Sequence, residues 1–141
     1  MVNYWICVTN EDNWEIIRKK EIWGVPKRFR KLIGKVRKGD LLVFYVCPKK
    51  ISGIFQAISE PFENKERLFS CEGFGREEVF PYRVRLKPSV VAKEYVQFDD
   101  LISKLQFIVK KKKWRAYLRR SMIAIPKEDY DLILDIITQK K

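Results

Sequence analysis

Two apolar runs of strand length constrain the fold of this chain most strongly. VNYWICV (2–8) and LLVFYVC (41–47) are rich in β-branched and aromatic residues, which favour strands. Side chains alternate between the two faces of a strand, and both faces of the first run are apolar. We therefore predict that this first strand lies in the centre of a sheet that is covered on both sides.

Further strand patterns accompany these two runs. The turn RKGD (37–40) precedes 41–47, and ISGIFQAIS (51–59) is predicted to pair with that strand as a hairpin, with Gly53 at a bulge or bend. SMIAIP (121–126) is predicted to be a short last strand. The alternation in FPYRVRLKP (80–88) predicts a strand with one face formed by Phe80, Tyr82, Val84 and Leu86 and the other by Arg83, Arg85 and Lys87.

Helix signals lie between the strands. Thr9 and Asn10 are candidate N-caps of a helix that opens on acidic residues and ends near Lys20. IWGVP (22–26) is predicted to be a loop, because glycine permits unusual backbone angles and proline disfavours helical angles in the residue before it. Helical segments are also predicted in 26–36, with Phe29, Leu32 and Ile33 inward, in 98–105, and after Pro126, with an apolar stripe of Tyr130, Ile133, Leu134 and Ile137.

The order of these elements favours one fold class. Irregular helical pieces separate the strands, without strict strand–helix–strand repeats, while 60–78 has no assignable pattern. The length of 141 residues suits one domain. We therefore predict a single domain, 1–141, of the α+β class: a mixed β-barrel of about five to six strands flanked by short helices.

Composition excludes several classes of protein. Hydrophobic residues make up 46% of the chain, which argues against disorder, yet no segment reads as a signal peptide or a membrane span. We expect a cytoplasmic, monomeric protein without cofactors; abundant Lys, Glu and Ile are typical of heat-adapted hosts. Cys7, Cys47 and Cys71 are far apart and form no CxxC, so we expect no disulfide framework and no metal site, with Cys7 and Cys47 as buried hydrophobes.

The absence of histidine and the positive charge point towards binding. Without histidine, the chain lacks Ser-His and Cys-His catalytic pairs and the usual general base near neutral pH. The net charge of +12 favours a polyanionic partner, of which nucleic acid is the commonest. The predicted phosphate-binding residues are Lys27, Arg28, Lys49, Lys50, Arg83, Arg85, Lys110, Lys111, Lys112, Lys113 and Arg115.

The ordered pieces YWICV, NW, WG, KGDLLVFYV, ISGIFQAIS, FPYRVRL and IAIPKEDYDLI resemble the EVE domain family over nearly the whole chain. The resemblance implies a PUA-like barrel similar to the YTH domain, whose aromatic cage takes a methylated adenine of RNA. It further implies a pocket that reads a modified or flipped base in DNA or RNA. An aromatic wall that stacks on a base contributes about 1–3 kcal/mol.

The resemblance also implies which residues form the pocket. Trp23 matches a cage tryptophan, Asn13 matches an asparagine that contacts the base, and Ser52 belongs to the matching SGxF strand. Leu86 stands where the YTH pattern has its second cage tryptophan, so another residue must supply the second wall. The predicted base-binding pocket comprises Trp23, Asn13, Thr9, Ser52 and, as candidates for the second wall, Trp5, Tyr45 and Tyr82.

Two alternatives stay open at the level of the sequence. The first is an enzyme that acts on RNA or nucleotides, for which Lys49 or Asp40 is the type of residue required. The second is a small-ligand or protein-interaction domain that uses the same pocket. Both differ from a nucleic-acid reader in what they bind or convert, and residue types alone do not separate them.

Overall fold

The computed structural model describes residues 2–64, 80–119 and 121–139. Seven strands and five short helices alternate irregularly in this part of the chain. The strands are β1 (Tyr4–Thr9), β2 (Ile22–Val25), β3 (Leu41–Val46), β4 (Lys50–Ala57), β5 (Phe62–Glu63), β6 (Tyr82–Gln97) and β7 (Met122–Ile125). The helices are α1 (Glu11–Lys20), α2 (Arg30–Ile33), α3 (Asp99–Ile102), α4 (Trp114–Tyr117) and α5 (Lys127–Thr138).

The strands form one mixed, curled sheet in the order β2-β6-β4-β3-β1-β7, with β5 paired to β6. β1 pairs with β3 in parallel and with β7 antiparallel, and β3 pairs antiparallel with β4. The predicted α+β class is confirmed, as are the mixed sheet and the flanking short helices. The barrel is a half-barrel, since the described strands β2 and β7 stand at opposite ends of the sheet order.

The two apolar runs lie side by side in the sheet, and β1 lies between β3 and β7, so the central position predicted for the first run is confirmed. Alternate side chains of β1 and β3 enter two separate cores, one on each face. We call these the first core, which contains Trp14, Trp23 and Phe44, and the second core, which contains Tyr45 and Trp114. Helix α1 covers the first core, whereas Tyr130, Ile133 and Ile137 of α5 pack in the second.

The predicted hairpin of β3 and β4 and the predicted N-cap of α1 are both confirmed. The ladder between β3 and β4 shifts register at Tyr45, and the ladder between β4 and β6 shifts on either side of Gly53, where a bulge was predicted. The Asn10 side chain accepts a hydrogen bond of 2.8 Å from the backbone N–H of Asn13. In the predicted RKGD turn, Gly39 has φ of +99°, which glycine adopts readily.

The predicted loop at 22–26 is wrong, because Ile22–Val25 form strand β2. This strand pairs antiparallel with β6, where Trp23 lies opposite Val84. All four of its residues are buried, and the neighbouring Glu21 carbonyl accepts a further bond of 2.8 Å from the Leu86 N–H. A partner strand therefore supplies the hydrogen bonds that fix this segment as extended chain, despite its glycine and proline.

Strand β6 is longer than predicted, and one residue of its predicted basic face is buried. It continues beyond Pro88 to Gln97, with a register shift where Phe55 lies opposite Pro88. Arg83, predicted to share a face with Arg85 and Lys87, is 2% exposed, and its Nε donates a bond of 2.9 Å to the Phe80 carbonyl. The backbone acceptor compensates part of the desolvation of this side chain, so a cationic residue can be buried at this position of the strand.

Some remaining predictions need correction, and one falls outside the described residues. The helix predicted over 98–105 is shorter and consists of α3 alone. Cys7 is buried as predicted, whereas Cys47, directly after β3, is exposed, so its prediction as a buried residue is wrong. Cys71 lies outside the described residues.

Within residues 2–64, 80–119 and 121–139, no helix combines the length and the apolar composition needed to span a membrane.

Candidate nucleic-acid interface

Trp23 is buried in the first core with an unpaired donor. Its indole is 3% exposed and meets the ring of Phe44 edge-on, with 5.5 Å between ring centroids. Its Nε1 is the one fully buried side-chain nitrogen or oxygen without a hydrogen-bond partner among the described residues. A buried N–H left without an acceptor costs about 1–3 kcal/mol of stability. The indole therefore presents a donor that an incoming acceptor can satisfy.

Trp5 occupies the same core, yet its donor is satisfied. Its indole is 2% exposed, and Nε1 donates to Asp40 Oδ2 over 3.1 Å. Asp40 is itself 1% exposed and also accepts from the backbone N–H groups of Asn3 and Arg37, each at 3.0 Å. Trp5 and Asp40 thus form a closed structural pair, which leaves no free indole donor on Trp5 for a ligand.

Four other predicted pocket residues lie on the first-core side or at its edge. Thr9 and Asn13 are 3% and 2% exposed, where β1 ends and α1 begins. Tyr82, half-buried, packs against the first core, and the Arg30 guanidinium lies 5.9 Å from its ring centroid. Ser52 is half-buried beside Gly53, in the bulged part of β4.

Tyr45 lies on the other side of the sheet. Its neighbour Phe44 packs against Trp23, whereas Tyr45 packs in the second core, with 5.0 Å between its ring centroid and that of Phe98. Successive residues of a strand face opposite ways, so Tyr45 and Trp23 do not line the same pocket in this fold. Of the three second-wall candidates, Trp5 is bonded to Asp40 and Tyr45 lies in the second core, whereas Tyr82 packs on the side of Trp23.

The predicted phosphate contacts also divide between surfaces. Lys27 and Arg28 are exposed directly after β2, and the Arg28 guanidinium lies 5.2 Å from the Phe29 ring centroid. Arg85 is exposed and its guanidinium lies 5.1 Å from the Phe62 ring centroid, whereas Arg83 is buried. On the second-core side, the exposed cations are Lys110, Lys111, Lys112, Lys113 and Arg115.

Lys50 belongs to a polar cleft of about 230 Å³ beside α1. Its Nζ lies 2.6 Å from Glu11 Oε1 and 4.9 Å from the ring centroid of Tyr95, which is 44% exposed. The hydrogen bond with Glu11 raises the pKa of Lys50. The cleft is lined by Glu11, Trp14, Glu15, Arg18, Lys50, Ser52, Val91, Ala92, Lys93 and Tyr95.

A second cleft, of about 270 Å³, lies on the second-core side and holds Lys49 and Arg115. We call it the Trp114 cleft; it is lined by Tyr45, Cys47, Pro48, Lys49, Trp114, Arg115 and Leu118. Sequence reasoning assigned no pocket role to Pro48, Trp114 or Leu118, which the fold brings together from distant parts of the chain. Trp114 carried a signal, because it directly follows the lysine run 110–113.

Three observations on the described residues bear on the enzyme alternative. No cluster of three or more His, Cys, Asp or Glu side chains that could hold a metal is found among them. Asp40, a candidate for the enzyme alternative, has its carboxylate bonded to three structural donors. Lys49, the other candidate, pairs with Asp99 at 3.3 Å in an exposed position.

Comparison with known proteins identifies relatives along nearly the whole chain. The model of the EVE domain family matches residues 3–136. A UPF0310 protein of Pyrococcus abyssi is 39% identical over 146 residues, which cover 96% of this chain and 100% of that protein. A crystal structure of the Mmi1 YTH domain complex with RNA matches with a TM-score of 0.68 and 17% identity, covering 98% of this chain and 79% of that one.

A further structural match is human THYN1 protein in complex with 5-methylcytosine containing DNA. It has a TM-score of 0.65 and 14% identity, over 95% of this chain and 96% of that one. At such identities the two structures establish a shared PUA-like fold. Since the family model spans residues 3–136 and the Pyrococcus relative is 39% identical, the chain belongs to the EVE domain family.

Proposed function

We propose that this protein is a nucleic-acid-binding module that holds a modified or flipped base of DNA or RNA against Trp23. The observation that carries the proposal is the buried Nε1 of Trp23, which has no acceptor among the described residues. Native proteins satisfy most buried polar groups, so an unsatisfied one calls for a specific reason. A base edge offers carbonyl and ring-nitrogen acceptors that can bond to this donor.

Residues on the same side of the sheet as Trp23 support a base as the ligand. Thr9 and Asn13 place polar groups on the same side of the sheet, and an asparagine amide can both donate to and accept from a base edge. Tyr82 supplies a half-buried aromatic ring on this side. Because Trp23 is 3% exposed, a base reaches its indole only after the covering side chains move. Base entry is therefore coupled to a local rearrangement.

Charge and relatives support nucleic acid as the source of that base. The net charge of +12 attracts polyanions, and Lys27 and Arg28 are exposed directly after the strand that carries Trp23. Two proteins that share the fold have been solved with nucleic acid: the Mmi1 YTH domain with RNA and human THYN1 with DNA that contains 5-methylcytosine. Binding without chemical conversion is the role that fits Asp40 and Lys49 as placed.

The test is a binding panel at low salt. Labelled DNA and RNA oligonucleotides, each with an unmodified and a methylated base at one position, are titrated with the protein and followed by fluorescence anisotropy. We expect tighter binding to one modified oligonucleotide, and weaker, unselective binding by Trp23→Phe. The proposal fails if no oligonucleotide binds. Free nucleosides that bind as tightly as the oligonucleotides would instead favour the small-ligand alternative.

A further inference from the structure

The sheet separates the Trp114 cleft from Trp23. Trp23 packs in the first core and Trp114 in the second, with β3 and β4 between them. A single base therefore does not reach both tryptophans. The residues of this cleft need an explanation of their own, independent of any ligand at Trp23.

Two cations surround the indole of Trp114. The Arg115 guanidinium carbon lies 4.6 Å from the ring centroid, and Lys49 Nζ lies 5.8 Å from it. Phe98 packs against the same indole, with 5.4 Å between ring centroids. Pro48 and Leu118 complete the apolar lining, so the cleft joins an apolar wall to positive charge. That combination suits a ligand with a flat apolar part and an anionic group.

The backbone holds the Lys49 cation at this cleft. Lys49 has φ of +60°, a conformation that costs a residue other than glycine about 1–2 kcal/mol. Its N–H donates to the Tyr45 hydroxyl over 3.0 Å, and its carbonyl accepts from the Phe98 N–H over 2.8 Å. These two bonds fix the residue in its strained conformation. Strain of this kind concentrates at functional sites.

Tyr45 adds a hydrogen-bond donor to the cleft. The residue is 4% exposed, and its hydroxyl oxygen accepts from Lys49, which leaves the hydroxyl hydrogen for another acceptor. Burial raises the pKa of the phenol, so it remains protonated, and a donor, at neutral pH. Asp99 is a competing anion, since its Oδ2 lies 3.3 Å from Lys49 Nζ. The pair is exposed, however, and exposed pairs contribute little, so a phosphate can replace the carboxylate.

We propose that the Trp114 cleft is a second site that binds one nucleoside 5′-phosphate unit, either free or within a strand. The base lies against Trp114 and Leu118, the Tyr45 hydroxyl donates to it, and Lys49 and Arg115 bind the phosphate. The volume of about 270 Å³ is close to the lower end of the range of small-molecule sites, about 300 Å³, so the cleft has room for no more than one small ligand. The exposed lysines 110–113 directly precede Trp114 and are placed to contact further phosphates of a strand.

The experiment follows the indole N–H resonances of the full chain by NMR during titration with 5′-AMP. The four tryptophans give four reporters, assigned by single Trp→Phe variants. We expect the Trp114 signal to shift and the Trp23 signal to stay. Lys49→Gln/Arg115→Gln should weaken AMP binding about tenfold, as expected for loss of charge-assisted contacts. Lys35→Gln/Lys38→Gln, which loses the same charge at two exposed lysines outside both proposed sites, should change it less than about twofold.

Further arms separate the sources of the ligand and the two proposals. Adenosine and inorganic phosphate should each bind more weakly than AMP. A d(A)6 oligonucleotide that shifts Trp114 at lower concentration than AMP assigns the cleft to strands, whereas equal affinities assign it to free nucleotides. Trp23→Phe should leave the AMP titration unchanged, so loss of base reading at Trp23 does not remove this site.

Two results overturn the proposal: no movement of the Trp114 resonance with either ligand, or equal weakening by both double variants. If Lys49→Gln disturbs folding, Arg115→Gln alone preserves the backbone of Lys49 and answers the same question.

Discussion

At the scale of single residues, Trp5 and Trp23 form a natural comparison. Both indoles are buried in the first core, yet Trp5 Nε1 bonds to Asp40 and Trp23 Nε1 bonds to no described residue. Burial alone would assign both to packing. The two indoles differ in their N–H donors. The donor of Trp5 stabilises the fold through its bond to Asp40, whereas the unpaired donor of Trp23 lowers stability.

We predict opposite consequences for Trp5→Phe and Trp23→Phe. Trp5→Phe removes a donor from the buried Asp40 carboxylate and should lower the free energy of unfolding by about 1.5–3 kcal/mol, with nucleic-acid binding unchanged. Trp23→Phe removes an unsatisfied donor, so the lost ring contacts are partly offset and the loss should stay below about 1.5 kcal/mol. Urea unfolding and the anisotropy titration measure the two effects.

The two variants serve as each other's control, because both shorten a buried indole to a phenyl ring in the same core. A binding loss of equal size in both would mean that Trp23 acts through packing only. In that case the proposed contact between its Nε1 and a base would be wrong.

Asp40→Asn should lower the stability of the protein and leave its binding to nucleic acid unchanged. The carboxylate accepts three hydrogen bonds in a buried position, whereas an amide offers one acceptor oxygen and introduces two unsatisfied hydrogens. We expect a loss of about 2–4 kcal/mol, seen as a lower urea midpoint. Binding to nucleic acid, measured where the variant is still folded, should be retained. Loss of a turnover activity at unchanged stability would favour the enzyme alternative instead.

Individual site residues were predicted from sequence with uneven success, for physical reasons. Alternation along 80–88 correctly places Val84 and Leu86 in the core, but it does not reveal that Arg83 is also buried. The alternation rule does not include the Phe80 carbonyl, which accepts from the buried guanidinium and is brought into place by the folded chain. The unpaired donor of Trp23 is likewise invisible in sequence, because it depends on what surrounds the indole.

At the scale of elements, strand β3 decides how the site is divided. Phe44 contacts Trp23 on one face, and Tyr45 lies in the Trp114 cleft on the other. The period of two along 41–47 already implies that neighbours in this strand face opposite ways. The sequence did not predict which elements pack on each face of β3, because α1 and α4 come from distant parts of the chain.

Gly53→Ala in β4 should disturb the contact between the sheet and α1. A Cβ at this position would lie 2.8 Å from Trp14 Cη2 and 3.3 Å from the Val90 carbonyl oxygen. Trp14 is buried and packs against Phe44 and Phe55, so it has little room to retreat. We expect a loss of about 1–3 kcal/mol in the free energy of unfolding.

Ser52→Ala is the matched control for Gly53→Ala, since it alters the adjacent half-buried residue without adding atoms. Its urea midpoint should stay close to that of the unchanged protein. Equal midpoints for the two variants would contradict the close packing of Trp14 over Gly53.

The elements that sequence patterns predicted well are those with local causes. The caps of α1, the turn at 37–40 and the bulge at Gly53 depend on residues a few positions apart. Strand β2 depends on its pairing with the first half of β6, and the second half of β6 depends on its pairing with β4. Each of these partners is far away in sequence. Their hydrogen-bond partners outweigh local propensity, so glycine and proline signals predicted a loop at 22–26 where a strand forms.

At the scale of the whole molecule, the charge lies on more than one surface. Lys49 and Lys50 follow each other in the β3–β4 hairpin, yet Lys49 lies over Trp114 and Lys50 over Tyr95. The first belongs to the Trp114 cleft and the second to the cleft beside α1. The positive charge of this hairpin is therefore divided between two clefts.

The salt dependence of binding measures how many contacts with phosphates the lysine run 110–113 makes. Each phosphate contact adds about 0.9 to the slope of log affinity against log salt for duplex DNA and about 0.7 for single strands. Replacing all four residues of 110–113 by glutamine should therefore lower the slope by about one or more, depending on how many lysines touch the strand. Anisotropy titrations at several salt concentrations give this slope.

The control for total charge neutralises four exposed lysines scattered over the surface: Lys35, Lys38, Lys87 and Lys104. Each variant lowers the formal net charge of +12 by four, so the long-range attraction of nucleic acid weakens similarly in both. Contact with phosphates is local, and only the variant of 110–113 should show the reduced slope. Equal slopes in the two variants would mean that the lysine run acts through net charge alone, and the strand would then not follow the surface next to Trp114.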